Sequence, residues 1–220
     1  MWPIAGCQTQ PTACVNRMPV HSDPNTHSGM EALNAVTMLP PPIILMWRAQ
    51  QAQCSPYGLL AFAAIACQVP FAVAYHMSES IRLRHGREGC RIDNDWRRAD
   101  QTAQHVAQVA LTYAVTRSLP YTLMAVLWPH GLAVVRLWHR STSNDGRRWT
   151  MIAAGVAVYT LPMLRTSVLF FAYAVVPMAI GSGVAFVPSL SVRGGHPIMH
   201  VLSWLHADAI GQYIAHVDLQ

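Results

Sequence analysis

The residues of this chain best suited to chemistry are His76, Asp100, His196 and His200. Each stands at the edge of a long apolar run. His76 ends one run, Asp100 begins another, and His196 and His200 begin the last. Ionisable groups at membrane depth are costly and mark functional sites by default. Three histidines suit a zinc ion, which takes neutral imidazole nitrogens at about 2.0–2.1 Å and keeps a fourth position for water. The ion lowers the pKa of such a water to about 7, and a neighbouring carboxylate, here Asp100, orients it or takes its proton. His196 and His200 are four residues apart, so on a helix they share a face. The competing reading is structural. Eleven histidines in 220 residues produce such spacings by chance, Pro197 pushes the preceding His196 away from helical geometry, and histidines at a headgroup boundary also serve packing.

The elements that must position these residues are apolar helices. Hydrophobic residues make up 52% of the chain and charged residues 11%, against roughly 25% charged in an ordinary soluble domain. This composition predicts an all-α fold, a polytopic integral membrane bundle of about seven transmembrane helices. Residues 57–76 are uncharged and long enough to cross about 30 Å of hydrocarbon. Further spans are expected at residues 32–47 (which holds Pro40, Pro41 and Pro42), 100–116, 119–135, 149–164, 167–190 and 197–217. The expected organisation is a polar, disordered tail over residues 1–29, a membrane domain over 30–217 and a short tail over 218–220. No apolar core of a secretory signal stands near the N-terminus.

All fifteen basic residues are arginine, and the net charge is +5. Eleven of them fall in the segments 77–99, 136–148 and 193, and three, Arg48, Arg117 and Arg165, fall between the other spans. The excess predicts a cytoplasmic location for the arginine-rich side, an inside N-terminus and an outside C-terminus. It reads as topology rather than as nucleic-acid binding. Both histidine-bearing helix ends and Asp100 then lie on the cytoplasmic side. The five cysteines form neither a metal-ligand pair nor a disulfide framework.

Other polar residues fall inside spans. His105, His130 and His206 raise the possibility of b-type haem ligation or transport, since two imidazoles are common axial ligands. Asp208 requires a partner or a proton. Gly181-Ser182-Gly183 reads as a small-residue helix contact.

The motifs carry a resemblance. Ala74-Tyr75-His76-Met77-Ser78-Glu79 resembles the Tyr-His motif ending the second span of the myomaker group. Trp96-Arg97-Arg98-Ala99-Asp100 resembles the approach to the aspartate opening the third span. Gly195-His196-Pro197-Ile198-Met199-His200-Val201-Leu202-Ser203 resembles the HxxxH start of the final helix. In this order they look like the CREST superfamily, which includes alkaline ceramidases, progestin and adipoQ receptors, haemolysin III proteins and post-GPI-attachment lipases. The resemblance rests on about twenty residues. It implies a zinc ion held by His76, His196 and His200, with Asp100 as the catalytic carboxylate. Where the family usually carries a serine four residues before the first histidine, this chain has Ala72.

The expected function is therefore a zinc-dependent intramembrane hydrolase cleaving a lipid amide or ester, with zinc as cofactor and a lipid as substrate. The alternative is a non-catalytic relative used in membrane remodelling, fusion or reception, which Ala72 favours. The expected location is the endomembrane system or the plasma membrane.

Overall fold

The computed structural model describes residues 24–85, 95–124, 128–138, 154–186 and 195–220, and every regular element among them is helical. In chain order these are α1 (Pro24–Thr37), α2 (Pro40–Gln51), α3 (Pro56–Arg84), α4 (Asp95–Thr116), α5 (Leu119–Thr122), α6 (Trp128–Trp138), α7 (154–160), α8 (Val168–Phe186) and α9 (Gly195–Asp218). A 3₁₀ turn, Leu161–Arg165, follows α7. The all-α expectation holds.

The expected first span, residues 32–47, is not one helix but two, α1 and α2. Proline has no N–H, so Pro40, Pro41 and Pro42 cannot donate to the carbonyls of Val36, Thr37 and Met38. Local groups take over at the break. Thr37 Oγ1 donates to Asn34 O at 2.9 Å, Leu39 N donates to Val36 O at 3.2 Å, and Trp204 Nε1 of α9 donates to Thr37 O at 2.8 Å. Helix α1 also starts earlier than expected, at Pro24, inside the stretch expected as tail; residues 1–23 lie outside the described residues. The buried hydroxyls of Ser28 and Ser80 fasten α1 to α3, each donating to the other's carbonyl at 2.9 Å.

Helix α3 runs eight residues past His76, to Arg84, and α4 starts five residues before Asp100. The polar ends expected as loop over residues 77–99 are thus largely helical. Buried Glu79 makes this possible, because Arg82 Nε and Nη2 donate to its Oε2 at 3.0 and 2.8 Å. Ser55 caps the other end of α3, its hydroxyl accepting from Gly58 N at 3.0 Å, with Pro56 in the first turn. Among the arginines used for topology, Arg82, Arg84, Arg97 and Arg98 flank the histidine end of α3 and α4. The segments 87–91, 140–148 and 193 lie outside the described residues.

Helices α3 and α9 form the centre. Helix α3 packs against α1, α2, α4 and α9, and α9 packs against α8, α2, α1 and α4. Buried Leu45, Leu111, Met163, Ile210 and Ile214 fill the core, and buried alanines at 61, 114, 174 and 209 bring the backbones close. Gly181 does make a helix contact, as expected: a Cβ there would meet Met199 Cα of α9 at 3.0 Å. At the end away from the histidines, Arg117 hydrogen-bonds Asp218 and stacks 4.6 Å above the Tyr57 ring, joining α9 and α3 to the end of α4.

Two helices, Pro56–Arg84 and Val168–Ala185, are long and apolar enough to cross a membrane. The other expected spans are shorter or more polar: α2 has 12 residues and α6 has 11, against about 20 for a full crossing. The exterior is nonetheless rich in large apolar side chains, with Met124 83% and Leu169 79% exposed, while Glu79 and Thr112 are fully buried. Asp208 finds the partner it requires in Arg48, whose Nε donates to its Oδ1 at 2.7 Å. Tyr173 and Gln212 donate to its Oδ2 at 3.0 and 2.7 Å. This network ties α2, α8 and α9, and a Cβ on Gly211 would collide with Arg48 Cβ at 2.7 Å.

Replacing Arg48 by Met strands a partly buried carboxylate. The expected loss is about 2–4 kcal/mol, somewhat below a fully buried pair, read as unfolding free energy in detergent micelles. A change below about 0.5 kcal/mol, the scale of an exposed pair, contradicts this role.

Candidate metal centre

His76 lies on α3 and His196 and His200 lie on α9, so the site exists only because these two helices touch. One ligand nitrogen from each histidine lies within 4.8 Å of the others. The ring centroids of His196 and His200 stand 4.7 Å apart and nearly parallel, and each is 5.3 Å from the His76 ring. Pro197 does not exclude His196 from the helix. Helix α9 begins at Gly195, which places the proline in the first turn, where an N–H has no intrahelical partner anyway. A Cβ on Gly195 would fall 2.1 Å from Val184 O of α8, so the bare α-carbon is what lets α9 start here.

His76 and His200 are buried, His76 at 3% exposure and His200 at 7%. His76 Nδ1 meets Glu31 Oε2 at 2.8 Å, and Asn34 Nδ2 donates to the same oxygen at 3.2 Å. An ionised Glu31 is acceptor-only, so it holds the proton of His76 on Nδ1 and leaves Nε2 as an electron-pair donor. Metal-binding histidines commonly have such a carboxylate behind them. His200 Nε2 is buried with no hydrogen-bond partner, which a native interior rarely tolerates without an ion or water. Two nitrogens on one tetrahedral zinc ion lie about 3.4 Å apart, so a spread within 4.8 Å closes by small side-chain rotations. The three histidines, two of them buried and His196 half-buried, fit a metal ion by donor type and spacing.

Asp100 is buried on α4, where Gln104 Nε2 donates to its Oδ2 at 3.1 Å. It shares with the three histidines the lining of a cavity of about 280 Å³. The cavity continues between α3, α4 and α9 past Gln68, Gln108 and His206 to Ile65, Leu111 and Ile210. Ala72 is part of its wall. Ser80 is spent on Ser28, and Ser78 donates to Tyr75 O at 2.7 Å.

His105, His130 and His206 do not form a haem site. His105 Nδ1 meets His130 Nδ1 directly at 2.7 Å, whereas axial imidazoles on opposite faces of a haem need their nitrogens about 4 Å apart with the macrocycle between. Both nitrogens of His206 are engaged, by Tyr159 OH and by Ala174 O, each at 2.6 Å.

The sequence brought forward the three histidines and Asp100 at the head of the cavity but missed Glu31. A lone glutamate just before a proline-broken apolar run was the available signal. Comparison with protein-family models, with curated proteins and with solved structures gives no match.

Purified full-length protein is expected to bind one metal ion per chain. Glu31→Gln should weaken binding about 10–100-fold, and His200→Ala should reduce stoichiometry to near zero. Unchanged metal content in both variants, by equilibrium dialysis and elemental analysis, contradicts the site.

Proposed function

We propose that this chain is a multi-pass membrane protein whose histidine centre holds zinc and hydrolyses an amide or ester bond of a lipid. One observation carries the reading: three histidine nitrogens and a buried carboxylate stand together at the head of one elongated cavity. The motif order resembling the CREST superfamily supports it. The bilayer setting is supported by two membrane-length helices and the apolar exterior. Counting α1–α2 and α5–α6 as broken crossings, with α3, α4, α7, α8 and α9, gives seven. Irregular backbone at membrane depth is tolerated where protein covers it, and the α1–α2 break is covered by Trp204.

His76, His196 and His200 would hold the ion, and Glu31 would keep His76 in the ligating tautomer. Zinc, when bound, polarises a carbonyl and makes water nucleophilic near neutral pH. Asp100, steadied by Gln104, takes the proton of the attacking water and returns it to the departing amine or alcohol. The acyl chain lies down the cavity, which at about 280 Å³ sits at the small end of ligand pockets, ~300–1,000 Å³, and accommodates a single chain.

A second reading, a non-catalytic member of the same architecture with a structural metal, is favoured by one feature. Ala72 puts a methyl group where the resembling family places a hydroxyl, and no α3 serine or threonine lines the cavity among the described residues.

Release of fatty acid from ceramides and phospholipids by the zinc-loaded protein separates the two. The hydrolase reading expects release that Asp100→Asn lowers at least about 10²-fold with zinc retained. Zinc-replete wild type that releases nothing from either class establishes the non-catalytic reading instead.

A further inference from the structure

The cavity is layered. Its head carries His76, His200 and Asp100, one from each of α3, α9 and α4. Following each helix inward, Gln68 lies eight residues from His76, Gln108 eight from Asp100, and His206 six from His200. At ~1.5 Å per residue these three fall in one band, roughly 9–12 Å below the head. Ile65, Leu111 and Ile210 come next, ten or eleven residues from the same reference points, forming a floor at roughly 15–17 Å. With Gln104 and Ser203 lining it between the head and the band, the cavity is polar from its head down to the band and apolar at its floor.

Within the middle band His206 is fully engaged, and Gln68 is the side chain left open to the cavity. Gln68 is 9% exposed, lines the cavity and has no hydrogen bond with any described residue. Its amide is therefore open to the cavity rather than sealed in the packing, and a leucine there would offer the cavity no polar group. Across the cavity, the Tyr159 hydroxyl donates to His206 Nε2, because His206 Nδ1 must donate to Ala174 O. This fixed direction leaves the Tyr159 oxygen able to accept from the cavity. The band therefore offers an amide with both donor and acceptor and a phenol oxygen as acceptor. None of these groups carries a charge.

We propose that the cavity selects an acyl chain bearing a neutral hydrogen-bonding group, such as a hydroxyl, partway along its length. The proposal rests on the reading of the cavity as an acyl site and names the class of chain. A hydroxyl matches both sides of the band: it donates to Tyr159 Oη and accepts from the Gln68 amide. At ~1.3 Å of advance per ~1.5 Å carbon–carbon bond, the band meets the chain roughly seven to nine bonds from the carbonyl. A site built to hydrogen-bond a substrate group discriminates strongly against the analogue that lacks it, since its own polar groups are then left unpaired.

The test is competition binding to full-length zinc-loaded protein in micelles, using dodecanoic acid, 9-hydroxydodecanoic acid and 12-hydroxydodecanoic acid. The expected order places the 9-hydroxy acid at least about tenfold tighter than dodecanoic acid, and the 12-hydroxy acid, whose hydroxyl meets the apolar floor, weaker than dodecanoic acid. Gln68→Leu should bring the 9-hydroxy preference to within about twofold, and Tyr159→Phe should reduce it partway. The wild-type ratio alone decides if either variant fails to fold. Equal binding of dodecanoic and 9-hydroxydodecanoic acids overturns the polar band as a selector while leaving the acyl cavity standing. Failure of all three acids to bind overturns both.

Discussion

Buried imidazoles impose a demand that the rest of this fold is arranged to meet. Each ring brings two nitrogens into an interior where every donor and acceptor needs a partner. For His76 one nitrogen is answered by Glu31. For His200 the Nε2 atom finds no protein partner, and its ring packs against the other two histidines. Three such rings gathered at one point, with a carboxylate behind the first, form a donor set whose natural complement is a cation. The short separations follow from the packing of α3 on α9, while the seating of α9 against α8 depends on Gly195 and Gly181, where a side chain would meet neighbouring backbone.

Helix α1 is the least obvious part of this arrangement. It supplies Glu31 and then ends where three prolines remove successive donors, so the chain changes direction above the cavity. The Trp204 indole covers a carbonyl freed by that change, and Met38 and Pro41, on either side of the break, line the cavity. The same break that shortens the first crossing therefore shapes the chamber. A continuous helix from residue 24 to 51 would satisfy its own backbone, but it would leave Trp204 without this acceptor.

The helical class, the three clustered histidines and Asp100 were legible in the sequence because each signal is local. An apolar run reports a helix, and a histidine or aspartate at its edge stands out against hydrophobic neighbours. Arrangements that depend on how helices rotate against each other were not legible. Arg48 and Asp208 are 160 residues apart and meet only through the packing of α2 on α9. Gln68, Gln108 and His206 become one band only once three helices are set side by side. Residues 32–47 read as one crossing because composition counts apolar side chains, whereas continuity depends on backbone donors that Pro40, Pro41 and Pro42 lack. His105 and His130 looked available for a cofactor until their direct contact came into view. The expected polar tail concealed a packed helix start, because the Ser28–Ser80 exchange leaves no mark in hydropathy.

X-ray absorption spectroscopy at the zinc edge, on the purified metal-loaded chain, addresses the heart of this account. The account predicts three imidazole nitrogens at about 2.0–2.1 Å with one further oxygen neighbour, the signature of an open tetrahedral site. A first shell without imidazole scattering, or one containing sulfur, would show that the ion sits elsewhere, and the histidine cluster would then be packing alone.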